Sequence, residues 1–143
     1  MKAIVNKTIG SLKLHPSFDS EVADEVLYGM VVEVEEKADE EWVYIKTHYD
    51  YKGYLNKEDV LLDDACANKW KESAKYVITH SIVDVLAEPK YKSYTIVTLT
   101  KGAIVEATGV SEENWEKIIL ADGKEGWIRK GFANKINKLF MEK

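Results

Sequence analysis

A nucleophilic cysteine needs a histidine within reach and a group that orients the histidine. This chain of 143 residues has one cysteine, Cys66, and three histidines, His15, His48 and His80. Nothing in their spacing joins them. His15 precedes Pro16, His48 falls in a polar turn and His80 follows a β-type run. Cys66, Trp70 and Ala74 recur at i, i+4, i+8, the apolar stripe of a short helix, so Cys66 is expected to be a small buried hydrophobe. There is no CxxC, HExxH, GxSxG or phosphate-cradling glycine loop. One cysteine allows neither an internal disulfide nor a multi-cysteine metal site. The carboxylate pairs Glu40-Glu41 and Glu112-Glu113 lie in turns and read as solvated, since a glycosidase needs its two carboxylates facing each other across a cleft. No catalytic residue, metal site or cofactor is therefore expected.

The aromatics offer binding chemistry instead. The first half contains Phe18, Tyr28, Trp42, Tyr44, Tyr49, Tyr51 and Tyr54. Such rings present flat apolar faces with a polar tip, suited to peptides or sugars. In "WVYIKT" a period of two puts Val43 and Ile45 on one face, which reads as core. Trp42 and Tyr44 share the opposite face, expected outside or at an interface. Trp42, Tyr44, Tyr49 and Tyr51 are the aromatic candidates for a ligand surface.

The elements that position these residues occur twice. "EEWVYIKTHYDYKGYL" returns as "ENWEKIILADGKEGWI", with Trp42 matching Trp115, Gly53 matching Gly126 and Tyr54 matching Trp127, each 73 residues apart. The same offset pairs Pro16 with Pro89, Gly29 with Gly102 and Glu33 with Glu106. The period is too long for a solenoid unit and fits two small domains. Residues 1–62 are expected to form the first, 63–75 a helical linker, 76–138 the second and 139–143 a tail. In each copy short β-type runs alternate with turn signals. The runs are "AIVN", "SLKL", "DEVL", "MVVEVEE", "WVYIKT" and "KGYLN", then "KYVIT", "VDVL", "TIVTL", "AIVEATGV", "WEKIIL" and "EGWIR". Gly29 and Gly102 precede strands where a left-handed backbone is cheap only for glycine. "NKEDV" and "RKGFA" read as single helical turns before a last short strand. Between the second and third runs lie long polar arms, each with a proline, which removes an edge hydrogen-bond donor. This is the strand plan of two SH3-like small barrels in tandem, an all-β fold. In the linker, Asp63 or Asp64 is the expected N-cap, and Trp70 is expected to anchor the short helix by packing on one or both barrels.

At 45% hydrophobic and 31% charged the chain is that of a folded protein. A domain of about 60 residues is marginal alone, so packing between copies should matter. No apolar run reaches the roughly 20 residues of a membrane helix. "MKAIVNKTIG" lacks the apolar region and cleavage site of a signal peptide. Residues 1–63 carry 7 Lys against 14 Asp and Glu, while 76–143 carry 10 basic and 9 acidic residues. An acidic first copy argues against nucleic acid and suits either a cationic ligand or a solubilising face.

The arrangement "LKLHPSFDSEVADEVLYGMVVEV…EEWVYIKTHYDYKGYLNKEDV" resembles bacterial SH3 domains, and the resemblance runs over nearly the whole chain, twice. "SEVADEVLYG" and "YDYKGYL" resemble more particularly the first SH3-like domain of NlpC-type cysteine peptidases, which cleave γ-D-glutamyl bonds to a diamino acid in cell-wall peptides. The resemblance implies a non-catalytic module that targets such an enzyme or restricts its substrate, with a cysteine peptidase catalytic domain as partner in cis or trans. It also implies an acidic arm residue and a turn tyrosine that select a free N-terminal amine. Glu21 and Tyr51 match those positions, with Glu25 and Tyr49 as neighbours that compete. The alternatives are a stand-alone binder of cell-wall peptide or peptidoglycan, and a structural spacer. A cytoplasmic setting in muropeptide recycling follows if the chain starts at its true N-terminus, and a cell-wall or extracellular one if a signal was removed.

Overall fold

A computed structural model describes residues 1–136. It contains fourteen strands and one α-helix. In the first repeat the strands are β1 (Lys2–Val5), β2 (Ile9–Lys13), β3 (Val22–Leu27), β4 (Val31–Lys37), β5 (Trp42–Lys46), β6 (Lys52–Asn56) and β7 (Val60–Leu61). Helix α1 (Asp64–Ser73) follows. The second repeat has β8 (Tyr76–Ile78), β9 (Ile82–Leu86), β10 (Thr95–Thr100), β11 (Ile104–Glu112), β12 (Trp115–Ile119), β13 (Glu125–Arg129) and β14 (Ala133–Lys135). Each repeat builds one antiparallel seven-stranded sheet. The orders are β3-β2-β6-β5-β4-β1-β7 and β10-β9-β13-β12-β11-β8-β14, the same path shifted by seven strands. The fold is thus two tandem β domains, as the duplicated pattern predicts. Residues 137 and 138 of the expected second domain, and the expected tail 139–143, lie outside the described residues.

The equivalence reaches individual bonds. Trp42 opens β5 opposite Asn56, and Trp115 opens β12 opposite Arg129, both offsets being 73. In the arms, Ser20 Oγ accepts from the His15 amide at 2.9 Å, and Ser93 Oγ accepts from the Glu88 amide at 2.9 Å. The amides of Leu14 and Ala87 donate to the carbonyls of Glu21 and Tyr94, both at 3.1 Å. The polar arms are therefore hydrogen-bonded loops of one design. The final turn differs. Lys57–Asp59 form a single 3-10 turn capped by the Asn56 side chain. Residues 130–132, expected to be helical as well, form a plain turn. Gly131, at φ +86°, leaves the helical region there.

Alternation in the strands fills two cores. The first contains Val5, Leu12, Val26, Val32, Val43, Ile45 and Leu55. The second contains Ile78, Val83, Val85, Leu99, Val105, Ile118 and Ile128, and it also takes in Tyr28 from the first repeat. Tyr28 is 3% exposed. Its hydroxyl accepts from the Ala121 amide at 3.0 Å and its carbonyl from the Ile104 amide at 2.8 Å. Ile104 in turn packs against the first core. The contact is made by equivalent turns, β3–β4 and β10–β11, whose glycines Gly29 (φ +82°) and Gly102 (φ +99°) face the other repeat. A Cβ on Gly29 would run into the Ile104 carbonyl, and one on Gly102 would lie 2.6 Å from Leu27 Cδ1.

Helix α1 closes the seam. Asp63 is its N-cap and accepts from the Cys66 amide at 3.1 Å. Ala67, Trp70 and Ala74 are buried with Ile4, and Val31, Ile104, Ile119 and Ala121 from both repeats pack against them. Trp70 Nε1 donates to the Gly29 carbonyl at 2.8 Å. Cys66 is a correction. It is exposed, not buried. The buried stripe runs through position 67, and the capping bond to Asp63 holds residue 66 on the outer side of the first turn.

Candidate functional site

The turn between β5 and β6 sets the site. Thr47 is 1% exposed. Its amide donates to the Tyr51 carbonyl at 2.8 Å and its Oγ1 accepts from the Tyr51 amide at 3.0 Å. Asp50 adopts φ +66° where the second repeat has Gly123 at +88°. Aspartate tolerates this region better than most residues with a Cβ. The clamp turns His48, Tyr49 and Tyr51 toward β3. Tyr49 meets His48 edge-on at 4.8 Å and Tyr51 at 5.2 Å between ring centroids. Its hydroxyl donates to Asp24 Oδ2 at 2.9 Å.

These rings border a groove of about 660 Å³ at the junction of the two repeats. Asp24, Glu25, Tyr49 and Tyr51 supply the polar wall, Leu27, Met30 and Ile104 the apolar floor, and Lys101 and Gly102 of the second repeat the far rim. Partial burial, with the hydrogen bond and charge of Asp24, pushes the Tyr49 phenol up to about 12. Tyr49 therefore stays a neutral donor at physiological pH, and its bond to Asp24 orients that side chain at the groove. His48 also borders a second groove, of about 800 Å³, between β4 and α1. Partial burial and the nearby Lys71 push its pKa down, so it is mostly uncharged at neutral pH.

Of the candidates read from the sequence, Tyr49 and Tyr51 line the groove together and Tyr51 is 56% exposed. Glu21 does not line it. It is exposed at the end of the arm, its carbonyl tied to the Leu14 amide. Trp42 is 4% exposed, not an outer surface. It does lie on the face opposite Val43, but the arm folds over that face and Phe18 packs edge-on to it at 5.0 Å. Tyr91 covers Trp115 in the same way at 5.3 Å. Tyr44 is half-buried and packs at a tilt against Tyr54, 4.8 Å between ring centroids. Asp24 and Lys101 were not singled out from the sequence. Asp24 sits in a β-type run and gave no signal, and Lys101 reaches the groove only through the packing of the two repeats.

The groove offers carboxylates, phenols and an ammonium over an apolar floor, which is binding chemistry. Among the described residues, no three His, Cys, Asp or Glu side chains stand close enough to hold a metal ion. Among them, too, no helix is long and apolar enough to cross a membrane.

Comparison with known proteins finds relatives of the chain. Residues 14–60 match the family described as the bacterial dipeptidyl-peptidase Sh3 domain. Over 132 residues the chain is 41% identical to dipeptidyl-peptidase 6 of Lysinibacillus sphaericus, an alignment covering 90% of this chain and 49% of that protein. The chain thus spans about half the length of the curated relative it matches. The crystal structure of an NlpC/P60 family protein from Bacillus cereus ATCC 10987 is similar with a TM-score of 0.73 at 14% identity, covering 96% of this chain and 57% of that one. At that identity the likeness is one of fold. The resemblance carried by the arm, the glycine turns and the Gly-Tyr strand, to bacterial SH3 domains with NlpC-type relatives, holds in these comparisons.

Proposed function

We propose that this chain, whose first repeat carries a bacterial SH3 domain, is a non-catalytic tandem module that restricts the substrate of an NlpC-type peptidoglycan peptidase. The observation that carries the reading is the groove in which Tyr49 and Tyr51 stand beside Asp24 and Glu25. A carboxylate paired with a peptide ammonium, with a phenol adding a hydrogen bond, is a charge-assisted recognition of a free amine. Dipeptidyl-peptidase 6, by its name, acts at that end of a peptide, and it is about twice as long as this chain. Its remaining half would supply the cysteine nucleophile and histidine base. Glu21 is the acid favoured by resemblance, and Asp24 and Glu25 are the acids favoured by placement.

The test joins this chain, as a fusion or as a mixture, to the catalytic half of the Lysinibacillus relative. Cleavage of L-Ala-γ-D-Glu-diamino acid peptides should depend on a free amine and fall when the amine is acetylated. Glu21→Gln, Asp24→Asn, Glu25→Gln and Tyr51→Phe are then compared. The residue that holds the ammonium should lose up to the roughly 1.5–3 kcal/mol of a hydrogen bond to a charged group. Indifference to acetylation in the reassembled enzyme would sink the reading.

A second reading is a stand-alone binder of cell-wall peptide or glycan. It is favoured by the exposed arm aromatics of the second repeat, Tyr91 at 71% and Tyr94 at 74%. Retention of the purified chain on peptidoglycan, lost in the Tyr91→Ala, Tyr94→Ala double variant, would select it.

A further inference from the structure

We infer that Lys101 makes the groove selective for a ligand carrying both an ammonium and a carboxylate, so that recognition requires both repeats. This deepens the reading above and rests on it. Lys101 and Gly102 form the rim facing Tyr49 and Tyr51. The lysine stands at the apex of the β10–β11 turn, where the Gly102 amide donates to the Ile78 carbonyl at 2.9 Å and the Ala103 amide to the Thr100 carbonyl at 3.1 Å. The next amide, of Ile104, is held by the Tyr28 carbonyl of the first repeat at 2.8 Å. Its backbone is therefore fixed relative to the first repeat's wall.

The side chain is exposed, and among the described residues no carboxylate lies within ion-pair distance of its Nζ. Across the groove, Asp24 is oriented by Tyr49. The two sides thus carry opposite charge over an apolar floor. A ligand with an ammonium alone would meet the acids but be repelled by Lys101. A ligand with an ammonium at one end and a carboxylate further along satisfies both sides. A short peptide with free N-terminus and an acidic side chain or terminus has that form. The equivalent position in the first repeat is Tyr28, buried in the second core, so the offset pair has one member for each task.

The experiment titrates the full chain with four probes, following the backbone amides of Tyr49, Tyr51 and Gly102 by NMR. The probes are L-Ala-γ-D-Glu, its form amidated at both carboxyls, its N-acetylated form and alaninamide. The dipeptide should bind about three- to fivefold more tightly than its amidated form, the scale of an ion pair with an exposed partner. Lys101→Gln should remove that preference, and Lys101→Glu should invert it. Alaninamide should bind both variants at least as well as the wild type. A preference that persists in Lys101→Gln, or is absent from the wild type, overturns the role of Lys101 while leaving amine recognition intact. Shifts that ignore N-acetylation overturn the amine reading itself, and the inference with it. Because Lys101 is exposed, unchanged melting temperatures in both variants separate recognition from folding.

Discussion

Two residues of one helix illustrate how differently neighbours weigh. Trp70 is 6% exposed and ties α1 to both repeats, while Cys66 is exposed. Trp70→Ala should cost about 3–5 kcal/mol, as large-to-small changes of buried aromatics do. Cys66→Ala should change stability by less than about 0.5 kcal/mol. Urea titrations of the two variants check the contrast, and a Trp70→Ala midpoint equal to wild type would refute the anchoring role. The helix was legible from its cap and apolar spacing. Its buried side was not, because stripes through 66, 70, 74 and through 67, 70, 74 both recur at helical spacing, and only the facing repeats choose. Tyr28 carries a pH signature. Burial is the main cause raising its phenol from 10.0 to about 12. The folded state then binds the proton more tightly than the unfolded state. The stabilisation is full below pH 10 and falls as pH rises from 10.0 toward about 12. Chemical denaturation across that window should show a shallower alkaline decline in Tyr28→Phe than in the wild type. The variant should also lose about 1 kcal/mol at neutral pH with the Ala121 bond.

At the scale of elements, the turns between β3 and β4 and between β10 and β11 each put a glycine of positive φ against the other repeat. Gly29 and Gly123 both have positive φ, but a Cβ on Gly29 meets the Ile104 backbone whereas one on Gly123 meets nothing within 4 Å. Gly123→Ala should therefore cost only the roughly 1 kcal/mol of left-handed strain. Gly29→Ala must in addition push the repeats apart and should cost clearly more. Parallel thermal melts decide it, and equal losses would mean that the seam is slack. That both glycines of the seam precede strands was readable from the offset. That they face each other was not, since nothing local to either turn encodes its partner. The arms give a similar lesson. Alternation placed Trp42 opposite the core face, and that is where it lies. Its burial comes from Phe18, 24 positions earlier, folding back over it. Period-two reasoning sees the two faces of a strand and is blind to loops that cover them.

At the scale of the molecule, the duplication was legible and supplied the fold class of two tandem β domains. The groove was not, because its walls come from β3, the β5–β6 turn and the β10–β11 turn, brought together only by the seam. The acidic excess of the first repeat anticipated the sign of one wall, and no count of charges could place Lys101 on the other.

Tyr28 also gives the seam a direction. It fills the second repeat's core, and its counterpart Lys101 cannot return the insertion. A plug and a socket differ, so like halves cannot mate as unlike halves do. Severed within α1, the chain should yield a first fragment with a bare aromatic peg and a second with a hole of matching size. Mixed, the two should recombine one to one. Alone, neither should form a closed pair with itself. Ultracentrifugation of the separate and mixed fragments would reveal it, and a stable homodimer of the second fragment would show that the hole can be filled by other means. The asymmetry should bar the pairing of like halves from neighbouring molecules, a hazard that two copies of one fold on a single chain would otherwise invite.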